Sequence, residues 1–523
     1  MEPGSLLLNE WLMIIFFAVG VVVWGYVLRG TAGADLATAF LADRKVPGFI
    51  ASFSTVATNM NANDFIGMAG AVYGFGIILI HQPLLNCVAV LFLGLVLMKK
   101  LRRRNVFTLG EWLRERYSNT VGNAYSLIWA FIWMNFNLGL YIYSGALVMN
   151  TLVGWNLFVS IVVLTAVAAT YTLLGGYRAV VATDVVQLFL MFFPFLFIAG
   201  LVWNEVGGPV KLLQSLPAEK TAIWGSTTPF GSLGVTIFGM LLIAMSYWSS
   251  EAQVVQRPLS ARDPDAAAIS YIGAGFWYAI LVPFVVFLPA LAAIKFFPNL
   301  PNNDFATPML LKKFVPPGLY GVTIVGLLAG IFSSCDSQIN SFCTMFTTDI
   351  YKRMIRKDAD AARLLKVSRL AGVIFTVAAI GTAVIFTFAR HGMFLFAVGI
   401  VATIMPPFGA VTILGAMWKR ASPRGAAVGV FAGMVLAVIL FFLDLDGRLA
   451  HIAKDTLYFR SMVVFLITLL VAMGVSLLER YESKTPQHDE NMAAAKGLNN
   501  PKILGALLAG FVAVMYLILT IIG

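Results

Sequence analysis

Ala57-Thr58-Asn59-Met60-Asn61-Ala62-Asn63-Asp64 is the stretch on which the reading of this chain turns. It lies inside 48–73, a run otherwise apolar enough to sit in a bilayer. Three asparagines and an aspartate within six residues are expensive there, since one charged residue at the bilayer centre costs about 2.5–3.5 kcal/mol on insertion scales. Such groups persist in hydrocarbon where they bind something, or where a broken helix lines a cavity. Gly67, Gly70, Gly74 and Gly76 follow and weaken the helix further. The stretch predicts a discontinuous membrane helix with a polar site at its break.

The rest of the chain supplies the membrane setting. Hydrophobic residues make up 59% of the 523 and charged residues 12%, which excludes an ordinary soluble globule and fits a polytopic membrane protein. A spanning backbone must satisfy its own hydrogen bonds, so the long apolar runs read as helices and the fold class as all-α. Runs of spanning length fall at 9–28, 48–73, 77–98, 121–152, 155–174, 179–203, 232–255, 266–296, 318–349, 367–389, 393–417, 424–443, 457–479 and 502–522, fourteen in all. They consume nearly the whole chain, so one membrane domain over 1–523 is expected, with no soluble catalytic domain.

The net charge of +11 does not point to nucleic acid. The basic residues gather on alternate loops, most densely at Lys99-Lys100-Leu101-Arg102-Arg103-Arg104 and around Lys352-Arg353. Placed inside, those loops put both termini outside a multi-pass chain in the cell membrane. The apolar run from Trp11 to Leu28 has no basic segment before it and no small-residue cleavage site, so it reads as a retained span rather than a signal peptide. Cys87, Cys335 and Cys343 all fall in apolar segments, which argues against a disulfide framework.

Other polar residues stand out against this background. In 318–349, Ser333, Ser337, Asn340, Thr344 and Thr347 follow helical spacing, with Ser334, Asp336, Ser341 and Thr348 beside them. Hydroxyls and a carboxylate on one stripe are the hard oxygen ligands that alkali and alkaline-earth cations prefer. The competing reading is interhelical hydrogen bonding by small polar residues. Asp336 favours a site, because an intramembrane carboxylate is a functional candidate by default. Asp184 is a second such carboxylate, and Glu251 a third. Tyr247-Trp248-Ser249-Ser250, just before Glu251, is a candidate second helix break. His81 and Gln82 precede Pro83 early in the third run. His391, His451 and His488 form no metal-binding spacing with it, and the chain carries no zinc motif, P-loop, nucleotide fingerprint or nucleophile elbow. An enzyme is therefore not expected.

Several segments together resemble one family. Phe40-Leu-Ala-Asp-Arg-Lys-Val-Pro47 is similar to the entry motif of sodium:solute symporters, and Asn63-Asp-Phe-Ile-Gly-Met-Ala-Gly70 to the end of their first core helix. Leu174-Gly-Gly-Tyr-Arg-Ala-Val with Thr183-Asp184, Val255-Gln-Arg-Pro-Leu-Ser-Ala-Arg262, and Ser333-Ser-Cys-Asp-Ser-Gln-Ile-Asn-Ser341 running on to Phe346-Thr-Thr-Asp-Ile-Tyr-Lys-Arg353 follow in the family's order. The match covers roughly 35–425 and leans toward the sodium/glucose cotransporter branch.

The resemblance implies a leucine-transporter-type core of two inverted five-helix repeats, here 48–203 and 232–417. A leading helix at 9–28 and three trailing helices over 424–522 flank them. It also implies sodium (Na+) bound by the backbone carbonyls of Ala57, Met60 and Gly330 and the hydroxyls of Ser333 and Ser334. Asp184, Asp336 and Ser337 are implied as a second sodium site or an ion exit path. Asn59 and Tyr247 match a pair closing the solute site from inside, and Met68 an outer gate. Asn63, Asp64, His81 and Gln82 complete the expected solute or gate set.

Four positions depart from the glucose pattern: Asp64 stands where a sugar-contacting glutamine lies, and Ala279 replaces a substrate-site lysine, Gln82 an outer-gate tyrosine and Val398 a sugar-binding glutamine. The expected partners are thus sodium, a small polar solute and the lipid bilayer, with a sugar or polyol favoured. An amino acid, sialic acid or carboxylate is the alternative solute, and a transporter-like membrane sensor the alternative class.

Overall fold

The computed structural model describes residues 6–28, 35–61, 63–224, 227–228, 231–388, 393–445, 456–479, 481 and 497–522. Ala62, His391, His451 and His488 lie outside the described residues.

Among the described residues the regular structure is helical apart from a two-residue antiparallel ladder, Thr227–Thr228 with Gly231–Ser232, and an isolated bridge between Val46 and Ala261. Its main helices are α1 (Leu8–Leu28), α2 (Gly48–Asn59), α3 (Ala69–Phe75), α4 (His81–Leu93), α5 (Asn119–Ile128), α6 (Met134–Val148), α7 (Leu157–Val206), α8 (Leu233–Ser250), α9 (Ala252–Ser260), α10 (Pro264–Val282), α11 (Tyr320–Met345), α12 (Ala361–Phe386), α13 (Met393–Met417), α14 (Pro423–Leu445), α15 (Thr456–Glu479) and α16 (Pro501–Ile522). Among the described residues, twelve helices are long and apolar enough to cross a membrane.

Two features separate that count from the fourteen apolar runs. The run 48–73 is not one helix but α2, a π-helical turn at Asn63–Met68 and α3. Conversely α7, at 50 residues, would be about 75 Å long if straight, against a hydrocarbon core of about 30 Å. It turns at Gly176, whose φ of 64° and ψ of −172° are open to glycine and strained for other residues.

The core is organised around α11. Nearly all of its residues are buried, including its whole polar stripe, because lipid offers those hydroxyls no partners and neighbouring helices do. It packs on α7, α6, α1 and α2. Glu10 of α1 ties this packing down: its Oε1 accepts from the N–H groups of Gly318 (2.8 Å) and Tyr320 (3.1 Å) at the start of α11. Gly25 lets α1 approach α7, since a Cβ there would lie 2.7 Å from the Tyr171 carbonyl. The trailing helices turn large apolar side chains outward, Phe431 and Leu470 among them, as lipid-facing helices do.

Two segments singled out by sequence meet at one end of the bundle. Val46 pairs with the turn after α9: its N–H donates to Ser260 and its carbonyl accepts from Arg262 at 2.9 Å. Just before it, Ala42, Asp43 and Arg44 all have left-handed φ (48°, 56°, 55°). Asp43 is held in this turn by the Thr38 hydroxyl and the Arg178 guanidinium.

Candidate functional site

The break in the first polar helix follows from competition for backbone donors. In a continuous helix the Asn61 N–H would bond the Ala57 carbonyl, and the Asp64 N–H the Met60 carbonyl. Here Asn61 N–H donates to the Asp64 carboxylate (3.0 Å), and Asp64 N–H to the Asn61 carbonyl (2.9 Å). Asn61 Nδ2 takes the Asn59 carbonyl (3.0 Å) and Asn61 Oδ1 accepts from the Asn63 N–H (2.8 Å). Met60 is extended (φ −84°, ψ 111°). The polar side chains satisfy one another locally, and the carbonyls of Ala57 and Met60 lose their helical donors.

Helix α11 lies against this break. Ser334 donates to the Thr58 carbonyl (3.0 Å), and the Thr58 and Ser337 hydroxyls are 3.0 Å apart. Gly330 faces Phe65, just past the break: a Cβ on Gly330 would come within 2.8 Å of that ring. The structure thus brings the segments holding Ala57, Met60, Gly330, Ser333 and Ser334 side by side.

Asp184 and Asp336, separated by 152 positions, share a neighbouring buried cluster. Asp184 accepts from Ser333 (2.6 Å) and from Ser54. Asp336 accepts from the Tyr171 hydroxyl (2.8 Å) and from Ser337 (3.1 Å). Among them stands Arg257 of α9, which sequence reasoning quoted but did not assign. Its Nη2 is 3.1 Å from Asp184 and also donates to Ser337, its Nε donates to Ser54 (3.2 Å), and it is wholly buried. The signal that could have found it is the rule that an intramembrane carboxylate needs a partner.

The second break is at Glu251, one residue beyond the expected Tyr247–Ser250. Glu251 is extended (φ −70°, ψ 113°) between α8 and α9. Tyrosines cover the carbonyls it releases: Tyr271 donates to Trp248 (2.8 Å) and Tyr125 to Ser250 (2.6 Å).

The first break borders a cavity of about 100 Å³, room for several water-sized groups, which Tyr247, one turn before the second break, also lines. Asn59, Asn63, Asp64, Gln82 and Tyr247 of the expected solute or gate set line it, and Val398 does too. Asn61, Asn86, Asn137, Tyr141, Tyr278 and Tyr458 complete the polar wall and were not assigned from sequence. The described lining holds one carboxylate and no Lys, Arg or His. Two expected residues lie elsewhere. Met68 is buried at the end of the π turn, outside the lining. His81 packs between Trp224 and Tyr516, with its ring nitrogens 3.1 Å from the Ile223 carbonyl and 3.3 Å from the Tyr516 hydroxyl. Ala279 also lies outside the lining, next to Tyr278.

Comparison with known proteins adds an independent line. The model of the sodium:solute symporter family matches residues 39–433. The chain is 28% identical over 503 residues to the sodium/glucose cotransporter of Vibrio parahaemolyticus, covering 90% of this chain and 92% of that protein. It is 25% identical over 532 residues to sodium/myo-inositol cotransporter 2 of Oryctolagus cuniculus, covering 92% and 78%. Among solved structures, a substrate-bound, outward-open Na+-coupled sialic acid symporter superposes with a TM-score of 0.77 at 19% identity, over 90% of this chain and 98% of that one. Mhp1, a nucleobase-cation-symport-1 family transporter in a closed conformation, gives 0.56 at 13% identity, over 86% and 96%. At those identities the likeness is one of fold.

Proposed function

The chain belongs to the sodium:solute symporter family, and from that premise we propose that it imports a small neutral polyhydroxy solute, a sugar or polyol, together with sodium by alternating access. The observation that carries the reading is the broken helix at 57–64, which sets the Thr58 carbonyl against Ser334 of α11 and lines the cavity with polar side chains. In this reading the Ala57, Met60 and Gly330 carbonyls and the Ser333 and Ser334 hydroxyls hold sodium, and Asn59, Asn63, Asp64, Gln82 and Tyr247 hold the solute. Asp184, Asp336 and Ser337 mark the exit path, where the Arg257 guanidinium keeps a departing cation from resting.

The solute class follows from the wall of the cavity. Amides, tyrosine hydroxyls and a single carboxylate match paired hydroxyls, and the lack of a cation in the described lining disfavours sialic acid and other carboxylates. The names of the glucose and myo-inositol relatives point the same way. An amino acid, gripped through its ammonium by Asp64, is the second reading.

The chain is proposed to cross the cell membrane fourteen times, with both termini outside. Counting α7 as two spans at Gly176, and α2 with α3 as one, raises the twelve long helices to that number. The inverted repeats are assigned to 48–203 and 232–417.

Coupling to one ion is sufficient for accumulation. A tenfold sodium gradient contributes about 1.4 kcal/mol, and a potential of about 100 mV a further ~2.3 kcal/mol. Together they support on the order of several hundred-fold accumulation of a neutral solute. The test is uptake of labelled glucose and myo-inositol into proteoliposomes. Accumulation that collapses when the sodium gradient is removed is expected; binding without transport at any gradient would favour a membrane sensor instead.

A further inference from the structure

Glu251 is a carboxyl that neither the sodium site nor the solute site uses. It is wholly buried in the one-residue gap between α8 and α9. One oxygen, Oε2, accepts from the Trp133 indole N–H. The other, Oε1, is buried with no hydrogen bond of normal geometry, the Gln253 N–H and the Trp129 indole being its neighbouring donors.

The surrounding elements supply no counter-charge. Tyr125 of α5 and Tyr271 of α10 spend their hydroxyls on the carbonyls of Ser250 and Trp248. Tyr141 of α6 is held by Gln253 of α9 at 2.9 Å, and Tyr247 lies one turn back on α8. Phe408 of α13 packs its ring on Tyr125 and Trp129. Arg257, about 9 Å further along α9, is engaged with Asp184. Arg114, which donates to Ser126 of α5, is engaged with Asp349. Asp64 shares the cavity wall with Trp133 and Tyr247 and carries the same sign as Glu251. Among the described residues no ion pair includes Glu251. An isolated carboxylate with a bare oxygen is far costlier in such surroundings than the neutral acid.

We propose that Glu251 is a proton-binding site: it holds a proton in the conformation seen here and releases it to water when the α8–α9 gap opens, which links the transport cycle to pH. Only an O–H bond forms and breaks, and the proton comes from and returns to water. Trp133 relays the state of the site, because it lines the solute cavity and donates to Glu251 at once. This inference rests on the transport reading above.

The test combines a spectrum with a transport profile. Infrared spectra of the full chain in lipid, titrated between about pH 5 and pH 9, are expected to show a protonated-carboxyl C=O band that fades as pH rises and is missing from E251Q. Sodium-driven uptake of labelled glucose or myo-inositol by wild type should fall about tenfold per pH unit above the midpoint of that band, the behaviour of one titrating group, and E251Q should lose this step. A spectrum unaltered in E251Q, or pH profiles that superimpose, overturns the proposal. Should E251Q fail to fold, W133F removes the indole donor to Oε2 and leaves the carboxyl in place. A shifted band and midpoint then support the site, and unmoved ones overturn it. Uptake that proves independent of sodium would remove the symport reading while the spectrum still decides the proton site.

Discussion

The Ser334 hydroxyl donates to the Thr58 carbonyl across 3.0 Å, so the buried helix α11 is fastened to the broken helix at a peptide oxygen next to the break. Ser333, the next residue back, points its hydroxyl to Asp184 instead. Two adjacent side chains thus reach two different polar clusters, and substitutions separate their roles.

Ser334→Ala is expected to raise the sodium concentration for half-maximal uptake about two- to tenfold, the equivalent of one lost hydroxyl interaction of roughly 0.5–1.5 kcal/mol. Uptake at varied sodium and fixed solute checks it. An unchanged half-maximal concentration removes Ser334 from the ion site.

Asp64→Asn should act on the solute. Hydrogen bonds to a charged group are worth about 1.5–3 kcal/mol, so affinity for the preferred solute should fall by about ten- to hundredfold and the ranking of solutes change. Competition against labelled substrate measures this. If sodium dependence moves and the ranking stays, Asp64 belongs to the ion path.

Arg257→Met should destabilise the folded chain by about 3–5 kcal/mol, because it leaves Asp184 buried with its guanidinium partner gone. Adding Asp184→Asn should recover much of that loss. Thermal unfolding of the two single variants and the double variant closes the cycle, and additive losses would mean that the pair is not coupled.

Asp43 gives an acid-side prediction outside the membrane spans. The Thr38 hydroxyl first, and then Arg178, hold its carboxyl below the usual carboxylate range. A pKa depressed in the folded state adds stability that is complete above the unfolded value, about 3.9, and is lost as pH falls through the folded value. The thermal midpoint of wild type should therefore drop below about pH 4, and Asp43→Asn should flatten part of that drop. Asparagine tolerates the left-handed φ at this position, so the charge is what the substitution tests. A wild type and variant with parallel pH curves would count against it.

Sequence made the spans and the polar break legible because each is written in consecutive residues. Asn59, Asn61, Asn63 and Asp64 compete for one another's backbone within a single turn, a contest that a short window contains. The second break was displaced by one residue because the covering tyrosines, Tyr125 of α5 and Tyr271 of α10, come from other helices. Arg257 escaped assignment for the same reason: it stands 73 positions from Asp184 and 80 from Ser337. From sequence the wall is read at Asn59, Asn63 and Asp64 of the first broken helix, Gln82 of α4 and Tyr247 of α8, whereas Asn86 also reaches it from α4 and Asn137, Tyr278 and Tyr458 come from α6, α10 and α15. His81 falls in the expected solute or gate set, and its partners in the fold, the Ile223 carbonyl and the Tyr516 hydroxyl, come from distant segments that a short window does not contain.

Neither gap in the polar helices is made by proline. Residues 57–68 and 247–257 contain none, so every peptide in both gaps keeps its donor as well as its acceptor. Helical continuity there is a contest between side chains and backbone, each contact worth roughly 0.5–1.5 kcal/mol, rather than a fixed covalent interruption. A bound cation at one gap, or a proton gained or lost at the other, is large enough on that scale to change which side wins. The two joints are therefore reversible by chemistry alone, and their stiffness is set by what the surrounding water contains.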